Sequence, residues 1–135
     1  MIYRIDVGIV APVEETELAD RVETAVTNLF PNATLTREPG RIVGETHSLD
    51  HFSELLHRQE ILDAARNAMS ARRSGPYFSF SLKKAAAFEG VVNFSVGEPA
   101  ELGEIDVEVR VDEPTVEAFV DHVAPPTEDG RPITD

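Results

Sequence analysis

The stretch "EIDVEVRV", residues 104–111, alternates Ile105, Val107, Val109 and Val111 with Asp106, Glu108 and Arg110. Successive side chains of a strand point to opposite faces, so this strand has one apolar face and one that is charged and wet. It belongs in a sheet that is covered on one side only.

The same reading extends outward through the chain. Residues 3–10 alternate Tyr3, Ile5, Val7 and Ile9 against Arg4, Asp6 and Gly8, which predicts a first strand. After Pro12, the run 14–30 places Leu18, Val22, Ala25, Val26, Leu29 and Phe30 on one helical stripe, with Glu14, Glu15 and Glu17 at the positive end of the helix dipole. "ATLTRE" (33–38) and "RIVGET" (41–46) read as short strands joined across the Pro39–Gly40 turn signal. From 49 to 71, Leu49, Phe52, Leu55, Leu56, Leu62, Ala65 and Met69 recur at helical spacing, with Ser48 or Asp50 as cap. Gln59 interrupts that stripe, and Ile61 and Ala68 lie beside it, which allows two helices with a bend between His57 and Glu60.

"YFSFSL" (77–82) is a strand with Phe78, Phe80 and Leu82 on one face, and "GVVNFSV" (90–96) is expected to be another. "EPTVEAFVDHV" (113–123) predicts a short helix with Pro114 in its first turn. Strands and helices alternate irregularly, and the late gaps have hairpin length. The expected class is α+β: a two-layer sandwich in which one mixed, mainly antiparallel sheet is covered on one face by helices. Residues 1–124 form the single expected domain, and 125–135 a flexible acidic tail.

The chain has 135 residues, enough for one domain, and a hydrophobic share of 41% that can fill a core. Its formal charge of -13 comes from 25 acidic against 12 basic residues, and Lys83 and Lys84 are its only lysines. Such a surface suits solubility in concentrated salt, so a salt-adapted host is expected. The amino-terminal run carries Arg4 and Asp6 and alternates too regularly for a signal peptide, and no stretch reaches the ~18 apolar residues of a membrane span. A cytoplasmic protein without membrane contact follows as the expectation.

Few chemistries fit these residues. There is no cysteine, hence no thiol nucleophile and no cysteine-ligated metal. His47, His51 and His57, with Glu54 among them, resemble a ligand cluster, but the His-Glu-x-x-His spacing of a metalloprotease is missing. "HSLDH" (47–51) contains serine, aspartate and histidine without a nucleophile elbow, and the eight glycines have neither phosphate-loop nor dinucleotide spacing. No enzyme activity, cofactor, metal or small-molecule substrate is expected.

One feature departs from the composition. Between Ala64 and Phe88 lie Arg66, Arg72, Arg73, Lys83 and Lys84 and no acidic residue, a segment at +5 within a remainder at -18. Read structurally, the arginines sit near a helix carboxyl end and neighbouring acids neutralise the lysines. Read functionally, the five side chains meet RNA phosphates, with Tyr77 adding a contact. Five such contacts on single-stranded RNA would lose about four to five powers of ten in affinity between roughly 0.15 and 3 M salt. Recognition in a salt-adapted host must therefore lean on bidentate arginine bonds, stacking and shape.

The order "FPNATL", "LLHRQEILDAAR", "FSFSLKKAAAFEGVVNF", "LGEIDVEV" and "APPTEDGRP" resembles an uncharacterised archaeal family, UPF0201, over about Tyr3 to Pro132. The resemblance implies a two-layer fold similar to the ribosomal large-subunit protein that binds 5S RNA, and with it an RNA-binding role. The family's central motif reads leucine, asparagine, lysine, glutamine, alanine, alanine. Leu82, Lys84, Ala86 and Ala87 match it, while Lys83 replaces the asparagine and Ala85 the glutamine. Arg66 and Gly90 also match, although Arg66 fits equally well as a clamp on Asp63 or on a carboxylate across the sheet. The expectation is a non-enzymatic RNA-binding protein that uses Arg72, Arg73, Lys83 and Lys84, with Tyr77 and Arg66 as further contacts. The alternative is a protein-interaction or structural module, such as a homodimer, whose aromatic strand pairs with a partner's edge.

Overall fold

A computed structural model describes residues 2–95, 103–128 and 131–132, the last two as backbone only. The wet-faced strand of the opening stretch is β6 (Glu104–Glu113), and it lies near the middle of a six-stranded sheet. β1 (Arg4–Pro12), β2 (Thr34–Glu38), β3 (Arg41–Thr46), β4 (Arg73–Ser74) and β5 (Tyr77–Lys83) complete it in the order β2-β3-β1-β6-β5-β4. The α+β class is as expected, and the sheet, expected to be mixed and mainly antiparallel, is antiparallel at every pair of neighbours.

The register explains why one face is buried. Ile9 opposes Val107, which opposes Phe80, and Val7 opposes Val109, which opposes Phe78. All of these side chains are buried and point toward the helices. Full burial of one such side chain contributes about 1.5–3 kcal/mol, so the helical layer is held by these rows.

That layer contains α1 (Ala19–Leu29), α2 (Asp50–Arg58), α3 (Leu62–Ala71), α4 (Lys84–Phe88) and α5 (Val116–Val123). α1 begins later than its pattern suggested, and Leu18 is exposed at its N-cap. The glutamates before it close their own turn, with Glu14 N–H donating to the Glu17 carboxylate at 2.9 Å. α2 and α3 are separate helices. Glu60 adopts φ 58 between them, a left-handed conformation that breaks the helix at the expected bend. Ser48 Oγ accepts from Asp50 N–H at 3.2 Å, so the serine supports the start of α2. Thr115 caps α5 by accepting from Ala118 N–H at 3.1 Å, and Pro114 precedes the helix instead of lying in its first turn.

"GVVNFSV" departs from expectation. Through its described residues it makes an isolated bridge, Leu82 to Phe94, and Val96 lies outside the described residues. Gln59 holds this segment in place: its amide donates to Val92 O at 2.9 Å and accepts from Val92 N–H at 2.8 Å. The polar break in the helical stripe is thus a bracket for the neighbouring chain.

Within the expected tail, β7 (Thr127–Glu128) pairs with β8 (Arg131–Pro132), and the Thr127 hydroxyl donates to Asp63. Residues 129–130 and 133–135 lie outside the described residues.

Candidate functional site

The basic island does not survive folding as one surface. Arg66, on α3, donates to the Asp121 carboxylate at 2.7 Å and to Ala124 O at 2.8 Å, clamping α3 to the end of α5. It is a clamp, with Asp121 as its partner instead of Asp63. Arg73 donates to Glu117 on α5 at 2.5 Å. Arg72 leaves the same helix end in another direction and donates to Ser81 Oγ at 2.8 Å, which in turn donates to Asp106 at 2.6 Å.

The two lysines separate even more sharply. Lys83 is exposed at the end of β5, whereas Lys84 is 3% exposed and its ammonium donates to Pro12 O at 2.6 Å and Glu17 Oε1 at 2.8 Å. A buried ammonium held this way cannot reach an RNA phosphate, which corrects its assignment as a contact. The strand pattern carried the signal: continuing the alternation of Phe78, Phe80 and Leu82 by one step puts Lys84 inside and Lys83 outside. Tyr77 is exposed and lies beside Arg110 in the register.

Glu117 reports on the Arg73 contact. The hydrogen bond from Arg73, followed by one from the backbone, holds its carboxyl below the ordinary value. Since the group is more acidic folded than unfolded, the interaction stabilises the fold above the unfolded value and is lost as pH falls through the folded one. In Arg73→Ala the Glu117 midpoint should rise toward that of a free glutamate, as measured by carboxyl-carbon NMR titration. An unmoved midpoint would show that the guanidinium is free for a ligand.

The histidines face separate partners. His47 Nδ1 is 3.0 Å from Asp6 Oδ1 and 3.1 Å from Ile5 O, His57 Nδ1 is 2.8 Å from Ser53 O, and His51 Nδ1 is 3.7 Å from Glu54. Among the described residues no three histidine or carboxylate side chains converge to hold a metal. None of the described helices is long and apolar enough to cross a membrane.

What the fold does assemble is the open face of the sheet. The register sets its rows: Asp6, Arg110 and Tyr77; Glu45, Gly8, Glu108 and Ser79; Val43, Val10, Asp106 and Ser81. Arg110 donates to Asp112 at 3.1 Å and to Asp6 as well, so the cation at the centre of the face is already satisfied. Carboxylates outnumber cations here, with Asp6, Glu38, Glu45, Glu104, Asp106, Glu108 and Asp112 against Arg4, Arg41, Lys83 and Arg110. A hollow of about 330 Å3 opens over Gly8, with Asp6, Glu45, His47, Glu108 and Arg110 around it. A second hollow, of about 460 Å3, lies where Leu18 and Arg21 of the α1 start face Lys84 and Phe88.

The expected pairing edge is also occupied. Ser79 N–H donates to Arg72 O at 3.0 Å, Lys83 N–H to Asn93 O at 2.9 Å and Ser95 N–H to Ser81 O at 2.8 Å. The aromatic strand therefore has no free edge along this run to offer a partner, whereas no described element covers the open face.

No protein-family model matches the chain. A UPF0201 protein of Methanocaldococcus jannaschii is 36% identical over 132 residues, which cover 93% of this chain and 76% of the relative. The chain belongs to the UPF0201 family. The crystal structure of a UPF0201 protein from Methanococcus jannaschii superposes with a TM-score of 0.88 at 35% identity, covering 96% of this chain and 99% of that one. A DUF54 protein from Archaeoglobus fulgidus, at 22% identity and a TM-score of 0.65, shares the fold over 89% of this chain and 95% of its own. A relative from Archaeoglobus fulgidus carries the double name UPF0200/UPF0201 and is 37% identical over 130 residues. Those residues are 96% of this chain and 40% of that protein, so the UPF0201 chain spans less than half of it.

Proposed function

We propose that the chain is a non-enzymatic docking module that holds a partner protein against the open face of its sheet, and that the partner is a UPF0200 protein. The observation that carries this reading is the face itself: six strands wide, exposed over most of its extent with Ser81 buried at one margin, rich in carboxylates and without a covering layer among the described residues. The double name of the Archaeoglobus fulgidus relative supports this choice of partner. A domain covalently joined to another in one organism is positioned to meet it as a separate chain elsewhere, where contact must come from the surface.

RNA binding is the second reading, and one observation favours it. Arg72 and Lys83 are both exposed, and Ser81, which Arg72 contacts, points to the same face as Lys83, so two cations and Tyr77 border one margin of the sheet. The RNA-binding role that the family resemblance implies would rest on that margin. Against it, Glu104 and Asp106 oppose Lys83 and Ser81 in the register and repel a phosphate.

The test is purification of the tagged chain from its own host, with mass spectrometry for proteins and the ultraviolet absorbance ratio for nucleic acid. The expected result is a stoichiometric UPF0200 protein and no RNA. RNA that is retained by the wild type and lost in Arg72→Ala with Lys83→Ala would overturn the docking reading. Absence of the UPF0200 protein would sink it too.

A further inference from the structure

Among the described residues, packing gives Gly8 no reason to be glycine. It sits in the middle of β1, paired on both sides in unbroken register with Glu45 and Glu108, and its φ is outside the left-handed region. A Cβ added there would meet nothing among the described residues within 4 Å. Gly44, two strand positions away on β3, is different, because its Cβ would come within 2.9 Å of Leu35 Cδ2. Packing explains Gly44 and leaves Gly8 unexplained. A glycine inside a strand weakens it, and close approach by a ligand or another chain is one of the recurrent reasons for such a glycine.

The surroundings define what approaches. Strands lie about 4.8 Å apart, so the backbones of Glu45 and Glu108 flank Gly8 with about 10 Å between them. Neither carboxylate has a hydrogen bond or ion pair among the described residues. The next row offers half-buried Val10 and Val43. A single arginine or lysine fits this arrangement, its charged head between two carboxylates and its aliphatic stem running out of the hollow over the adjoining valine row. A second copy of this chain does not fit, because two carboxylate-rich faces repel and Arg110 is held by Asp6 and Asp112.

We propose that the hollow over Gly8 is the seat of a basic side chain from the docked partner protein, clasped between Glu45 and Glu108. This rests on the docking reading above and names the place and chemistry of the contact. Gly8→Val tests it without changing any charge. The variant should fold with an unchanged or higher unfolding midpoint, since a β-branched residue suits a strand and the space is open.

Binding to the UPF0200 protein of the same host, measured by titration calorimetry, should weaken about tenfold or more in Gly8→Val and in Glu45→Gln with Glu108→Gln. The control pair Glu15→Gln with Glu89→Gln removes the same charge elsewhere and should bind as the wild type does. If the wild type binds and Gly8→Val binds equally well, the seat is overturned while the docking reading stands. Equal weakening by the control pair would reduce the contact to general charge attraction and overturn the seat as well. If the wild type itself fails to bind, the docking reading falls and the seat falls with it.

Discussion

Replacing Lys84 with alanine should lower the stability of the fold by about 3–5 kcal/mol, while replacing its neighbour Lys83 should change it by no more than about 0.5 kcal/mol. The difference follows from which way each side chain points. Lys83 is in solvent, whereas Lys84 is 3% exposed and meets a Glu17 side chain that is itself only 14% exposed. Truncating Lys84 leaves the largely buried Glu17 carboxylate without its cation, held among the described residues only by Glu14 N–H, and strips Pro12 O of a donor. A loss of this size is a large part of the ~5–15 kcal/mol that holds a domain, and lowers its melting midpoint by about 10–20 °C.

The paired replacement Lys84→Met with Glu17→Leu separates charge burial from packing. Because well-packed apolar residues often substitute for a buried ion pair at little cost, the pair should recover most of the loss. Calorimetric melts of the single and double variants decide the point. An unchanged midpoint in Lys84→Ala would mean that the ammonium is hydrated, and would reopen it as an RNA contact.

Period-two and period-three-to-four patterns reveal much of this fold because burial imposes them directly. Ile105 to Val111, Phe78 to Leu82 and the α2 stripe all face the core as their spacing requires. The bend at Glu60 was visible for the same reason, since Ile61 falls out of phase with the stripe before it. α4 was not visible: five residues of "KAAAF" are too few for a period, and its position is set by tertiary contacts such as Asn28 Nδ2 donating to Ala87 O at 3.1 Å.

Charge behaves differently from hydrophobicity in this respect. An arginine's long stem lets its head choose among partners far away in the chain, and Arg73 finds Glu117 and Arg66 finds Asp121 through a helix that follows some forty to fifty residues later. The basic island is a run of like signs along the sequence, whereas the three directions in which its members leave are set by the fold. Gly8 and Lys84 were legible in principle, one as a strand-interior glycine and the other as an inward step of an alternating run.

Phe52→Ala is expected to cost about 3–5 kcal/mol, and it separates the two layers of the molecule experimentally. Phe52 is fully buried, with its ring 5.3 Å from those of Phe30 and Phe80 and 6.3 Å from that of Phe94. Those contacts join α2 to the end of α1, to the sheet and to the segment after α4, so the cavity left by alanine opens where several elements meet. Urea unfolding should show a lower midpoint with an unchanged slope, and Phe52→Leu, which keeps more of the volume, should lose distinctly less. The ring lies on the helical side of the sheet and Gly8 on the open side. At a temperature where Phe52→Ala remains folded, its affinity for a partner on the open face should therefore match that of the wild type. Gly8→Val should do the reverse, keeping the fold and losing the partner. If Phe52→Ala weakened binding as much as it weakens the fold, the partner would have to engage the helical layer, and the open face would lose its claim.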